Sequence, residues 1–136
     1  YTYTFNEPVT LNNGKDILIL STGSMVSQSL AACKNLSKKN ISAELINIHT
    51  LKPLSEKIIK KFNNFNNIIT VEEHSIIGGL SSIIAEKMAK SNCKSKLTSI
   101  ALPDSFGPTG TYNYLLDFHG LTGSKITEKI LNVLKV

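Results

Sequence analysis

Arginine is absent. All fifteen basic residues of this 136-residue chain are lysines, and with ten Asp and Glu they leave a formal charge of +5. Nucleic-acid readers favour Arg because its planar fork grips phosphate and base edges bidentately. Without Arg, and with the lysines scattered over most of the chain, the basic balance reads as a solvated surface rather than a nucleic-acid interface. Sixteen Ile and thirteen Asn accompany the lysines. All three residue types are what AT-rich codons encode. Cysteine is scarce too: Cys33 and Cys93 stand alone, outside any Cys-x-x-Cys pair. Two lone thiols read as small semi-buried hydrophobes in a reducing compartment, with no structural zinc. Long apolar runs are missing. The longest are about five residues, far short of the roughly 20 needed to cross a bilayer. No basic start leads into an apolar stretch, so no secretory signal is visible. These absences set the expectation of a cytoplasmic protein with neither a membrane nor a nucleic-acid partner.

The remaining composition is globular, with 41% hydrophobic and 18% charged residues, and the length suits one domain with one core. Residues 1–5 look strand-like, and Asn13-Gly14 is a turn signal. The run Asp16-Ile17-Leu18-Ile19-Leu20 predicts a strand buried on both faces. After Ser21-Thr22-Gly23-Ser24, the apolar positions Val26, Leu30, Cys33 and Leu36 predict one helix face, capped by Thr22 or Ser24 and ending at residues 38–40. Residues 43–49 predict the next strand. Pro53-Leu54-Ser55-Glu56 opens a second helix with Ser55 at its N-cap and Ile58, Ile59 and Phe62 inward. Residues 68–71 predict a buried strand that ends in Glu72-Glu73-His74. Gly78-Gly79 leads into a helix with Leu80, Ile84 and Met88 on one face. Residues 97–102 predict a further strand, residues 103–110 a loop, and residues 112–118 a short helix. Ser124 is placed as the cap of a last helix with Ile126, Ile130, Val133 and Leu134 inward. Such alternation implies a mostly parallel sheet with helices on both faces. No repeat, low-complexity tract or linker divides it.

Several segments carry chemistry-bearing residues. Residues 21–24 join a strand to a helix, where backbone N–H groups can meet a phosphate. Gly-x-Gly-x-x-Gly and Gly-Lys-Ser/Thr are both absent, so a tight turn is the favoured reading. Glu72, Glu73 and His74 lie at the carboxyl end of a strand, where α/β sheets usually bind ligands. Two carboxylates and an imidazole suit acid–base or metal chemistry. Adjacent strand residues point in different directions, however, which favours a domain or subunit contact over a self-contained site. His49 and His119, each near an element end, read as structural. Asn35-Leu36-Ser37 and Asn40-Ile41-Ser42 are formal sequons of little meaning without a secretory signal.

Four segments in order carry a resemblance. Asp16-Ile17-Leu18-Ile19-Leu20-Ser21-Thr22-Gly23-Ser24-Met25-Val26 resembles the first strand and turn of transketolase C-terminal domains. Asn47-Ile48-His49-Thr50-Leu51-Lys52-Pro53-Leu54 resembles their second strand and the entry to the next helix. The most specific match is Thr70-Val71-Glu72-Glu73-His74-Ser75-Ile76-Ile77-Gly78-Gly79-Leu80. Residues 103–110, followed by Leu115-Leu116 and His119-Gly120-Leu121-Thr122, resemble the closing segment, with Pro108-Thr109 where the family pattern has Glu-Ser. The order holds from about residue 5 to residue 134. The likeness is greatest to the C-terminal section of split transketolases, and related domains close 1-deoxy-xylulose-5-phosphate synthase and the β subunits of 2-oxoacid dehydrogenases.

The resemblance implies a three-layer α/β/α domain with a mixed five-stranded sheet, in which a strand around residues 9–11 runs antiparallel to four parallel ones. It implies a fragment or subunit of a larger enzyme that transfers a two-carbon ketol unit between sugar phosphates. Thiamine diphosphate and magnesium are expected in the complete enzyme, on other domains, and the family's Gly-Asp-Gly metal motif is missing here. No catalytic, cofactor-binding or metal residue is assigned in this chain. Glu72, Glu73, His74, Gly78 and Gly79 are the candidate interface with the remaining domains or an N-terminal subunit, in a homodimer or heterotetramer. A free-standing phosphate- or small-molecule-binding module built on residues 22–24 is the reading from another class.

Overall fold

The computed structural model describes residues 3–135. Five strands form one sheet: β1 (Val9–Asn12), β2 (Ile17–Ser21), β3 (Ala43–Asn47), β4 (Asn67–Ser75) and β5 (Lys96–Leu102). Their order is β1-β3-β2-β4-β5. β1 pairs antiparallel with β3, and every other pair is parallel. The mixed sheet with one antiparallel edge strand is the architecture expected from the resemblance.

The apolar run of β2 explains the layering. Alternate side chains of a strand point to opposite faces. Ile17 and Ile19 enter one core with Met25, Cys33, Leu36, Leu116, Ile126 and Ile130, from α1 (Met25–Ser37), α4 (Tyr112–Phe118) and α5 (Gly123–Leu134). Leu18 and Leu20 enter the other with Ile58, Leu80, Ile84 and Met88, from α2 (Glu56–Ile59) and α3 (Leu80–Lys90). All five residues of β2 are buried. α5 approaches α1 closely because Gly123 has no side chain: a Cβ there would lie 2.8 Å from the Ala31 methyl. The Gly123 N–H also donates to Gln28 Oε1 at 2.8 Å.

Several expected details differ. Of the strand-like start, Tyr1 and Thr2 lie outside the described residues, and residues 3–5 form no strand. The buried face of α1 is Met25, Ser29, Ala32, Cys33 and Leu36, with Val26 and Leu30 only half-buried. Ser29 turns inward because its hydroxyl donates to Ser21 Oγ at 2.9 Å, which in turn donates to the Val71 carbonyl at 3.3 Å. Neither Thr22 nor Ser24 caps α1 with its side chain. The Thr22 hydroxyl donates to the Ile48 carbonyl at 2.7 Å, and the Ser24 hydroxyl is taken by Glu73. β3 stops at Asn47, two residues early. The second helix is a single turn followed by a 3-10 turn at Phe62–Asn64. Ser55 does cap α2, accepting from Lys57 N–H at 3.4 Å. Thr122, not Ser124, caps α5, because its extended backbone lets its hydroxyl accept from Lys125 N–H. Val133 and Leu134 are only half-buried. No helix among the described residues is long and apolar enough to cross a membrane.

Candidate functional site

β4 is nine residues long and runs through the polar triplet to Ser75. Val71 pairs with Ile100 and Ser75 with Leu102, so β4 takes four steps where β5 takes two. The extra residues bulge at Glu72, Glu73 and His74, and such bulges re-aim side chains. Glu72 turns toward α3. It is 2% exposed, and its two carboxylate oxygens accept from Leu80 N–H (2.6 Å) and Ser81 N–H (2.9 Å). Both are first-turn donors without intrahelical partners, and a carboxylate there also meets the positive end of the helix dipole. Gly79 makes this possible. A Cβ on it would sit 2.1 Å from Glu72 Oε2 and 2.9 Å from His74 Nδ1.

Glu73 turns to the opposite layer and is exposed. Its Oε2 accepts from the Ser24 hydroxyl, just ahead of α1, and from the Tyr112 hydroxyl at 2.8 Å, in the first turn of α4. One carboxylate thus joins three chain segments at the carboxyl end of the sheet. Its hydrogen bond raises the Tyr112 phenol above its ordinary pKa, an effect partly opposed by Ser24. Glu73 puts a negative charge beside the turn at residues 22–24, where an anionic ligand would have to sit. That weighs against a phosphate-binding module.

The exposed His74 ring bonds through Nδ1 to the Ser75 carbonyl at 2.9 Å. Gly78 has φ +81 and an open Cβ direction, so it serves the turn into α3. The structure therefore divides the five sequence-selected residues. Glu72 and Gly79 are buried at an internal strand–helix junction, while Glu73, His74 and Gly78 stay at the surface. They do not converge on one point.

The other histidines are tied locally. His49 bonds to Thr50 Oγ1 (3.0 Å) and the Glu7 carbonyl (2.8 Å), and its ring lies 4.8 Å from that of Tyr3. His119 is the C-cap of α4, and its carbonyl accepts from Lys129 Nζ at 3.1 Å. Burial, aided by Lys125, lowers the Lys129 pKa. Cys33 is buried, which pushes its thiol up to about 11 and leaves it unreactive.

Sequence reasoning missed a cleft of about 480 Å³ between the end of β4 and the loop after β5, lined by Ser75, Leu102, Asp104, Phe106, Gly107 and His119. The signal for it was the loop Pro103-Asp104-Ser105-Phe106-Gly107-Pro108, which places one large apolar residue among turn formers. Among the described residues, no three His, Cys, Asp or Glu side chains come together as a metal set. Glu72 and Glu73 are held by N–H and hydroxyl donors and face opposite layers, so the strand-end side chains do not fit magnesium diphosphate.

The strand-end carboxylates hold helix starts, within the sheet order β1-β3-β2-β4-β5 of an α/β domain. The family is given by comparison. Residues 7–126 match the profile described as transketolase, C-terminal domain, and the chain belongs to that family. It is 39% identical over 134 residues to a Methanocaldococcus jannaschii protein that bears the name transketolase C-terminal section, covering 98% of this chain and 42% of that one. It is 40% identical to a 1-deoxy-D-xylulose-5-phosphate synthase of Dictyoglomus thermophilum, over 92% of this chain and 20% of that one. A solved split-gene transketolase, an inactive β4 tetramer, superposes with a TM-score of 0.90 at 28% identity, covering 99% of this chain and 44% of that one. The chain therefore spans less than half the length of each of these three relatives.

Proposed function

We propose that this domain is the non-catalytic C-terminal part of a thiamine-diphosphate-dependent transketolase, which moves a two-carbon ketol unit between sugar phosphates. The cofactor supplies the carbanion chemistry when bound to the other domains. This chain's own residues buttress those domains and extend a subunit interface, in a homodimer or heterotetramer. The observation that carries the reading is the near-complete superposition on part of a split-gene transketolase. The hydrogen bonding supports it: Glu72 and Glu73, the most reactive-looking pair, are engaged by backbone and hydroxyl donors, which leaves no free acid–base couple. Two unpaired thiols fit a cytoplasmic location.

The test is a coupled assay with xylulose 5-phosphate and ribose 5-phosphate, run with this chain alone and then with the remaining domains supplied. Silence alone and turnover together are expected. Turnover by this chain alone would overturn the reading. The identity to a 1-deoxy-D-xylulose-5-phosphate synthase favours that enzyme as the second reading. Turnover of pyruvate with glyceraldehyde 3-phosphate, and none with the two pentose phosphates, would select it.

A further inference from the structure

The two ends of the sheet differ in kind. Ile76 and Ile77, which follow β4, and Phe106, Tyr112, Tyr114 and Phe118, which follow β5, are large apolar residues left exposed at the carboxyl end. α4 is the extreme case. Of its seven residues only Leu116 is buried, and the Tyr114 and Phe118 rings lie 6.1 Å apart on the outside. A helix with three exposed aromatics has not finished burying its surface, and exposed apolar patches mark interaction sites.

Charge separates the ends in the same way. Residues 62–86 and 97–124 contain no Lys, although the chain has fifteen basic residues. These stretches supply the segment 72–79, the loop after β5 and α4. They carry the exposed carboxylates Glu73, Asp104 and Asp117. The ion pairs among the described residues are Lys57–Glu7, Lys61–Glu44 and Lys90–Glu86, so none neutralises these three. Lys52 and Lys57, both after β3, are the exceptions at this end, and Lys57 is already paired with Glu7. The amino end is the reverse. Lys15, Lys34, Lys38, Lys39, Lys94 and Lys96 are all exposed there, and no segment of that end carries one of the large exposed apolar residues.

We propose that the carboxyl end of the sheet, centred on α4 and the 72–79 segment, is a docking face for an apolar protein surface that carries Arg or Lys side chains. That surface lies on the thiamine-diphosphate-binding part of the transketolase assembly, so the inference rests on that reading and adds the partner's chemistry. Aromatic groups supply the burial, and exposed carboxylates without an ion-pair partner set the orientation and exclude wrong partners. A second copy of this chain does not fit. Face to face, Glu73, Asp104 and Asp117 would meet themselves. Head to tail, the aromatics would meet a lysine-rich end without apolar counterparts.

The experiment titrates the full chain against recombinant thiamine-diphosphate-binding polypeptides of the source organism's transketolase, by calorimetry at low and high salt. The variants are Phe118→Ser with Tyr114→Ser, Asp104→Lys with Asp117→Lys, and Lys38→Glu with Lys39→Glu. All alter exposed side chains, and thermal melting checks that each folds. The expected result is binding that weakens with salt, falls by roughly tenfold or more in both carboxyl-end variants, and is unchanged in the lysine variant. Binding that ignores the carboxyl-end variants but fails with the lysine variant overturns the docking face and leaves the transketolase reading standing. No binding by the wild-type chain overturns both. Self-association lost in the carboxyl-end variants, seen by sedimentation, overturns the choice of partner.

Discussion

Glu72 and Glu73 are neighbours on β4, each serving the start of a helix, and the two arrangements differ in every physical respect. Glu72 is 2% exposed and holds two backbone N–H groups of α3, with Gly79 closing over it. Glu73 is exposed and holds two hydroxyls, on Ser24 and Tyr112, from segments far apart in sequence. The difference teaches where stability and adaptability reside. A buried carboxylate with both oxygens fixed is costly to disturb, because its charge has no water to fall back on. An exposed one loses little when its partners leave, because water replaces them.

The largest effect is expected from Gly79→Ala, which breaks the comparison at its buried side. The added methyl needs the space of Glu72 Oε2, and moving that carboxylate strands it from Leu80 and Ser81 N–H. A stability loss of about 3 kcal/mol or more is expected, read as a lower midpoint in urea unfolding. A loss under about 0.5 kcal/mol, the size of an ordinary surface substitution, would show that the junction repacks freely.

A matched pair of amide substitutions sharpens the comparison. In Glu72→Gln one oxygen still accepts, but the amide NH₂ faces a backbone donor that now lacks a partner. About 2 kcal/mol should be lost. In Glu73→Gln water replaces what the amide cannot provide, and the loss should stay below about 0.5 kcal/mol. Hydrogen exchange should instead quicken locally over residues 111–115. Equal losses in urea unfolding would mean that burial does not separate the two carboxylates.

Much of this arrangement was legible in the sequence, and the misreadings around the site share one cause. The apolar run of β2 and the spacing of Leu80, Ile84 and Met88 announced buried elements, because burial of hydrocarbon leaves a periodic trace. The antiparallel β1 came from resemblance, since Val9-Thr10-Leu11 alone carries too little pattern. Polar groups buried by mutual satisfaction leave no such trace. Ser29 displaced Val26 and Leu30 from the inner face of α1 because Ser21 was waiting for it. β4 ran on through Glu72 because α3 supplied two N–H groups. Thr22 and Ser24 were obvious caps until Ile48 and Glu73 claimed their hydroxyls. The triplet Glu72-Glu73-His74 stands out in the sequence by its residue types, but its division between an inner and an outer role depends on partners up to 49 residues away in the chain.

The smallest effect concerns protons at the exposed end. The hydrogen bond from Tyr112 to Glu73 favours the neutral phenol, so the folded-state pKa lies above the ordinary value of about 10. The sign follows by linkage. Between the unfolded and folded values the native state binds more protons than the unfolded one, so stability falls as pH rises through that window. The contribution is fully present below the unfolded pKa and is lost once pH passes the folded one. Its size is small, because Tyr112 is half exposed and the contact is screened by solvent. The measurement is a tyrosinate absorbance titration of the wild-type chain minus that of Tyr112→Phe, which isolates one phenol among four. The difference curve should titrate above an ordinary tyrosine and move down in Glu73→Gln. Glu72→Gln should leave it unmoved, because that carboxylate faces the other layer. A curve that responds to Glu72 and ignores Glu73 would reverse the roles assigned to the two carboxylates.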